Sequence, residues 1–406
     1  MPRDDDFLIV GAGIIGLSIG ISLLESNPKH QVRVVEKEKR LGAHASGRNS
    51  GVLHAGFYYS PESLKAKFCR DGNIELKKLA KKYDVQVKNV GKVVVTKNTE
   101  EVRRLEALFQ RGIENGVDVE LLNEAKLKEF EPLARTTEKF LWSPTTAISS
   151  PAAIIKALEQ HFLVLGGKIQ FDTEIDLIEL KGEVIEKNGK FRSKYYINAA
   201  GAHADLIAKG LGIAKEYAMI PFMGQYRTIP HGSLPLRTLV YPVPHPINPF
   251  LGVHLTLTTD GLVKIGPTAL PILGREQYSA LSGWNLRDIV QSLSGARSIA
   301  AGKSHSILEI IKSEYPNLRL KALKKEGGTL VPQVLQIKSW ARKAPGIRAQ
   351  LVHLPTGSLE QDFKVITHGN SIHVLNAVSP GWTSALPFAR YIVGQILFTK
   401  EVGHGS

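Results

Sequence analysis

The chain of 406 residues has one cysteine, Cys69. A lone thiol excludes an intrachain disulfide and a cysteine-built metal cage, and it suits a reducing compartment. Cys69 closes the stretch Leu64-Lys65-Ala66-Lys67-Phe68-Cys69, where it reads as a packed helix residue rather than a nucleophile or a cofactor tether. No run approaches the roughly 18–20 apolar residues that span a bilayer. Met1 to Asp6 leads straight into an apolar strand with no room for a signal peptide, so the chain is expected to be made and kept in the cytoplasm. The 13 histidines are scattered, without a His-Glu-x-x-His pattern, and no metal is expected. A Gly-x-Ser-x-Gly nucleophile elbow, internal repeats and low-complexity tracts are also missing.

Acidic residues are in deficit, 38 against 52 lysines and arginines, for a net charge of +14. A basic surface attracts nucleic acid, anionic lipid or acidic small molecules, and composition does not choose among them. Ala301 to Gln350 holds seven lysines and three arginines against three glutamates, half of the surplus. That stretch reads as a solvated face or as a patch for peripheral contact with an anionic membrane. No nucleic-acid motif and no aromatic-interleaved basic stretch accompanies it, which argues against a nucleic-acid partner. The 43% hydrophobic and 22% charged content is ordinary for a soluble enzyme of one elaborate domain or two.

Strand-like and helix-like stretches alternate at the start, the mark of a parallel βαβ unit. Phe7-Leu8-Ile9-Val10 is a continuous apolar run, as in a strand covered on both faces. Residues 14–26 read as a helix and Val32 to Glu36 as the next strand. Ser60-Pro61-Glu62 looks like a helix start, with serine at the N-cap and proline in the first turn. Residues 90–96 read as a strand, 99–115 as a charged amphipathic helix, and 151–165 as an apolar-periodic helix stopped by Gly166-Gly167. Short strands follow over 168–200, with a turn at Asn188-Gly189. The proline-rich stretch from Pro221 to Pro271 has antiparallel-sheet texture, with strands such as Leu262 to Ile265. Residues 304–315 look helical, and 347–400 return to strands before a helix from about 384. The expected architecture is α/β: a Rossmann-like nucleotide-binding domain with an inserted antiparallel-sheet α+β substrate domain. The first would take residues 1–89, 148–216 and 346–406, and the inserted cap 90–147 and 217–345.

Gly11-Ala12-Gly13-Ile14-Ile15-Gly16 matches G-x-G-x-x-G, and its context matters more than the pattern. It follows a strand, opens a helix and meets Glu36 at the end of the next strand, 20 residues after Gly16. Gly11 permits the tight turn, Gly13 lets the backbone approach a pyrophosphate, and Gly16 lets helix pack on strand. The helix start offers free N–H groups to phosphates. Glu36 would accept from ribose hydroxyls, which favours a cofactor without a 2′-phosphate. None of this separates NAD from FAD.

The next segment, His44 to Gly51, is small, polar and turn-prone, suited to wrapping an extended flavin. From Arg48 through Val52-Leu53-His54-Ala55-Gly56-Phe57-Tyr58-Tyr59 to Glu62-Ser63-Leu64-Lys65-Ala66-Lys67, the sequence resembles the L-2-hydroxyglutarate dehydrogenase/oxidase family, within the D-amino-acid-oxidase-like flavoproteins. The resemblance continues through Tyr196 to Ala202, Pro221 to Tyr226, Leu239 to Pro244, Phe250 to Leu255, Gly346 to Gln350, and Asn376 to Ala385. Met223 and Gln225 depart from the family's Pro-Phe-Arg-Gly-Glu-Tyr segment and remove a cation and an anion together.

The resemblance implies FAD as cofactor, held by Gly11, Ala12, Gly13, Ile15, Gly16, Glu36, Lys37, Ser46, Arg48, Asn49, Ser50, Gly51, Ile175, Ala200, Gly201, Ser379, Pro380, Gly381 and Thr383. It implies oxidation of a small dicarboxylate, L-2-hydroxyglutarate, to 2-oxoglutarate, with electrons passed to a quinone, another carrier or oxygen. Such a reaction needs a carboxylate clamp, a base for the hydroxyl proton and a Cα–H aligned with the flavin. In the wider group an arginine in a Gly-x-Arg turn clamps carboxylates, and Gly346-Ile347-Arg348 occupies that position; its guanidinium fork suits the task. His54, three residues past the wrapping loop, and His254, on the facing strand, are both candidates for the base. Tyr226 and Tyr241 are candidates to hydrogen-bond a carboxylate, and Lys264 is one option for a second cationic site. The rival readings are an amino-acid or amine oxidase on the same scaffold, a flavin-free pyridine-nucleotide dehydrogenase, and a non-enzymatic basic binder.

Overall fold

The computed structural model describes residues 5–244, 251–279, 283, 285–301 and 314–403. The opening strand, Asp5–Val10, runs down the middle of a six-stranded sheet. From one edge the order is Lys364–His368, Ser371–Asn376, Ser193–Asn198, Asp5–Val10, Val32–Val35 and Lys168–Gln170. Its neighbours pair in parallel except Lys364–His368, which is antiparallel to Ser371–Asn376. The unbroken apolar run follows from this position. Phe7 and Ile9 join the helical layer on one face, while Leu8 and Val10 pack with Val35, Ile175 and Tyr196 on the other.

The helix Ile14–Ser26 has eleven of its 13 residues buried, so it is apolar all round rather than striped. It lies against Pro151–Val164 and Ala385–Gly403. A Cβ on Gly20 would come within 2.6 Å of the Phe162 ring, which sets how closely two of these helices approach.

The helix expected to start at Ser60-Pro61 begins later, as Leu64–Lys82. Ser63, not Ser60, is its N-cap and accepts from Ala66 N. The Asp362 carboxylate then takes the N–H groups of Leu64 and Lys65. Ser60 to Ser63 form a turn instead, closed by Ser63 N donating to Ser60 O. Thr99–Glu114 matches its expected amphipathic pattern, capped by Asn98 and burying Val102, Leu105 and Leu108. The turn at Asn188-Gly189 is held by the Glu186 carboxylate, which accepts from Asn188 N and Lys190 N. Residues 304–313 of the expected helix at 304–315 lie outside the described residues.

An eight-stranded sheet collects Ala341–Arg342, Arg227–Pro230, Leu262–Gly266, His254–Leu257, Leu239–Pro242, Lys92–Val95, Lys139–Ser143 and Glu120–Asn123, in that order. It is antiparallel but for the pairing of Leu239–Pro242 with Lys92–Val95. Between it and the six-stranded sheet, Tyr217–Gly224 pairs antiparallel with Gly346–His353 and sets Phe222 opposite Arg348. Among the described residues no helix is long and apolar enough to cross a membrane.

Candidate active site

A cavity of about 430 Å³ starts at the glycine turn and ends beneath the eight-stranded sheet. At its first end, Gly11 has φ +103°, and a Cβ there would stand 2.6 Å from Ala199 O. A Cβ on Gly16 would stand 1.9 Å from Gly11 O, so the helix sits directly on the turn. Gly13 is the helix N-cap without a side-chain cap. Ile14 N donates to the Ser46 hydroxyl at 3.0 Å, which folds the 44–51 loop over the helix start. Glu36 is held from both sides, accepting Ala12 N on one oxygen and Glu38 N on the other. Its carboxylate is thereby aimed at the cavity it lines.

Gly11, Gly13, Ile15, Glu36, Lys37, Ser46, Arg48, Asn49, Ser50, Ile175, Ala200, Gly201, Ser379, Pro380, Gly381 and Thr383 all line this cavity. Ala12, Gly16 and Gly51 are not part of the lining and support it from behind. Gly51, at φ +79°, passes against Ser149 O. The polar ends of Arg48 and Asn49 are engaged by the backbone. Arg48 donates to Ala43 O and stacks at 4.1 Å on the Tyr278 ring, and Asn49 bonds Ser46 O and Gly51 N.

The other end gathers His54, His254, Arg348, Tyr226 and Tyr241 around the same space. His54 is held by its backbone: its N–H donates to Thr383 Oγ1, and its carbonyl accepts from Asn73 Nδ2. The Nδ1 atom is buried with no hydrogen-bond partner among the described residues. His254 Nδ1 lies 2.9 Å from Gly252 O. A carbonyl only accepts, so the neutral ring carries its proton on Nδ1 and leaves Nε2 as the basic atom. Burial, with the nearby charges of Lys92 and Arg348, pulls His54 well below the usual histidine range; burial pulls His254 down to about 3. Both imidazoles are therefore neutral near pH 7. Tyr241 stacks on His254 with centroids 3.8 Å apart, and its hydroxyl meets Thr256 Oγ1 at 3.4 Å. Burial pushes Tyr226 up to about 12, so its phenol keeps its proton to donate. Arg348 shows surface to the cavity but lies deep in the protein, where burial lowers its pKa against the pull of Tyr226 and Tyr59.

Lys264 does not line the cavity. Its ammonium donates to Ser50 O at 3.0 Å and so supports the wrapping loop. Met223 and Gln225 sit side by side, with Gln225 Nε2 3.9 Å from Met223 Sδ, so a neutral contact occupies that face. Cys69 is wholly buried with its thiol on His54 O, and burial raises it to about 12.

Sequence reasoning missed the closure from above. The loop carrying Arg275, Glu276 and Tyr278 crosses the cavity. Glu276 accepts from His203 at 2.8 Å and from Lys37, while His44 bridges Tyr278 and Glu38. These hydrogen bonds hold Glu276 down at about 2, His203's being the largest influence. Arg275 pins the loop by ion pairs to Asp205 and Asp288. The Lys37–Glu276 pair spans 239 positions, and no local pattern announces it.

A family described as "FAD dependent oxidoreductase" matches residues 6–395. The chain is 35% identical over 403 residues to the L-2-hydroxyglutarate dehydrogenase of Escherichia coli K12, covering 96% of this chain and 93% of that one. It is 36% identical to the mitochondrial L-2-hydroxyglutarate dehydrogenase of Caenorhabditis elegans (97% and 93% covered) and 32% identical to that of Homo sapiens (96% and 88%). Among solved structures, FAD-bound L-alpha-glycerophosphate oxidase of Mycoplasma pneumoniae superposes with a TM-score of 0.77 at 24% identity, covering 98% of this chain and 95% of that one. Glycine oxidase of Geobacillus kaustophilus follows at 0.68 and 18%, with 97% and 95% covered.

Proposed function

The chain belongs to the FAD-dependent oxidoreductases and, among them, to the L-2-hydroxyglutarate dehydrogenases, and on that premise we propose that its cavity oxidises L-2-hydroxyglutarate to 2-oxoglutarate. One observation carries the reading: the glycine turn and a chamber with a guanidinium and two neutral imidazoles line a single cavity. The cradle fits FAD: Gly11 and Gly13, without side chains, would leave the backbone open to a diphosphate, and the Glu36 carboxylate would accept from ribose hydroxyls. Bound FAD supplies the hydride acceptor, N5 of its ring, for the substrate's Cα–H.

The chain's own residues do the rest. Arg348 binds the carboxylate beside the reacting carbon through two parallel hydrogen bonds. His54, neutral and lining the cavity, takes the hydroxyl proton. His254 turns Nε2 to the substrate, and Tyr226 donates to the second carboxylate. Tyr241 backs His254 as the wall.

Anaerobic mixing watched at the flavin band tests this. L-2-hydroxyglutarate is expected to bleach the flavin faster than its D-isomer, malate, glycerol 3-phosphate or D-amino acids. Fastest reduction by an amino acid would overturn the substrate assignment and favour the amine-oxidase rival. Because burial lowers both imidazoles, the base stays unprotonated well below pH 6.5, so kcat/KM should show no acid limb near that pH.

The loop of Glu276 lines the cavity beside Glu36 and Lys37, where it would cover the ADP half of a bound FAD. Glu276→Gln removes the charge that His203 and Lys37 share, and FAD is expected to leave about tenfold faster. The rise of free-flavin fluorescence after dilution measures it, and an unchanged rate would remove the loop from cofactor retention.

Electrons then pass to an external acceptor, for which a quinone at the inner face of the membrane is the favoured candidate over another carrier or oxygen. Two observations support peripheral contact by a cytoplasmic protein: the basic stretch from Ala301 to Gln350, and Leu286, Val290 and Leu293 exposed along the helix Leu286–Ala301. The reduced enzyme should then reoxidise faster with quinone in anionic vesicles than in neutral ones.

A further inference from the structure

Lys92 begins the strand Lys92–Val95 in the eight-stranded sheet, between Leu239–Pro242 and Lys139–Ser143. Its side chain is wholly buried, and among the described residues Nζ has no hydrogen-bond partner. Three ring faces surround it instead. Nζ lies 4.3 Å from the Tyr241 centroid, 4.9 Å from that of Tyr58 and 5.4 Å from that of Phe57. Desolvated rings attract an ammonium, but they do not neutralise it.

The other side of this cage is the active-site wall. Tyr241, whose ring touches the ammonium, stacks on His254, and both line the cavity. The acidic groups facing Lys92 are the Cys69 thiol and the phenols of Tyr58 and Tyr241, all kept neutral by burial. The remaining titratable groups of the wall, His54, His254, Tyr226 and Arg348, bring no negative charge, the Tyr226 phenol being kept neutral by burial. A buried cation without a counter-ion is costly, and a dicarboxylate in the cavity would bring the missing charge.

Resting on the reading of the cavity as a dicarboxylate site, we propose that Lys92 is a positioning residue whose charge, stored behind the aromatic wall, is compensated by the bound dianion, so that ligand binding draws in a proton. Burial has already brought the free group down to about 7, which leaves it largely unprotonated just above neutrality. An approaching dianion favours the ammonium and restores the proton. Proton uptake, H⁺ from solvent onto Nζ, is the whole of the chemistry.

The test uses the FAD-loaded enzyme and glutarate, a dicarboxylate with no hydroxyl to oxidise. Calorimetric titration near pH 7.5 in two buffers of different ionisation heat reads protons taken up per ligand. Wild type is expected to take up roughly 0.7 proton. Lys92→Met should take up none and bind glutarate about tenfold more weakly at pH 6.5, where the wild-type ammonium is charged. Lys92→Arg, permanently charged, should also take up none, yet hold its affinity level from pH 6.5 to 8.5 while wild-type affinity falls. It keeps the inference testable if the methionine variant does not fold. Uptake that persists in either variant would belong to the histidines and overturn the inference, as would wild-type affinity in Lys92→Met. Lys92-dependent uptake in an enzyme that L-2-hydroxyglutarate fails to reduce would uphold the inference and sink the substrate reading alone.

Discussion

Arg348→Met is expected to lower kcat/KM for L-2-hydroxyglutarate by about two to three orders of magnitude, the ~3–4 kcal/mol lost when one partner of a buried charged contact is removed. The cause is geometric as well as electrostatic. Arg348 sits in mid-ladder opposite Phe222, so its guanidinium enters the cavity from a rigid strand. Arg348→Lys keeps a charge but loses the planar fork, and it should recover only about one order of magnitude. Stopped-flow flavin reduction measures both, with the flavin spectrum as the check on folding. If the methionine variant reduced its flavin at the wild-type kcat/KM, the carboxylate would have to bind elsewhere and the assignment of this end of the cavity would be wrong.

Gly11→Ala should yield protein without colour. At φ +103° an alanine carries about 1–3 kcal/mol of backbone strain before any contact is considered. Its methyl carbon would also meet Ala199 O at 2.6 Å, directly after the strand Ser193–Asn198, where neither backbone can yield without moving the sheet. We expect FAD affinity to fall at least about a hundredfold, read as the ratio of flavin to protein absorbance after reconstitution. Gly232→Ala is the control, because a Cβ there meets nothing within 4 Å and its φ is ordinary. A yellow Gly11→Ala protein with wild-type flavin content would refute the role given to the turn.

The contrast between local and distant determinants explains what could be read in the chain. The fingerprint was legible because Gly11, Gly13, Gly16 and Glu36 act through the backbone of one βαβ unit, where spacing translates directly into position. The six-stranded sheet follows from runs such as Phe7 to Val10, whose two-sided burial leaves no alternation. The start of Leu64–Lys82 was not legible. Asp362 supplies two of its first acceptors from almost 300 residues away, so the local serine–proline signal pointed to the wrong turn. The same holds for the closure over the cavity, where Lys37, His203 and Glu276 come from three separated segments. Lys92 was hidden for another reason: a lysine opening a strand of valines looks like a solvent-exposed edge, and only the fold shows rings on three sides. Arg348, which the structure places at the cavity on the strand Gly346–His353, was singled out only by the likeness of Gly346-Ile347-Arg348 to a segment of related flavoproteins, which periodicity alone would not have revealed.

The strand order of the six-stranded sheet also bears on synthesis. Asp5–Val10 leaves the ribosome nearly two hundred residues before its partner Ser193–Asn198, which in turn precedes its own partner Ser371–Asn376 by a similar stretch. Thr383, which touches the backbone at His54, is later still. The nascent chain can therefore form its first βαβ unit long before it owns a complete nucleotide groove, and such non-local pairing is slow to mature. FAD capture is thereby deferred until Thr383 has been added, so chains that stall short of it would be released pale and ready for proteolysis.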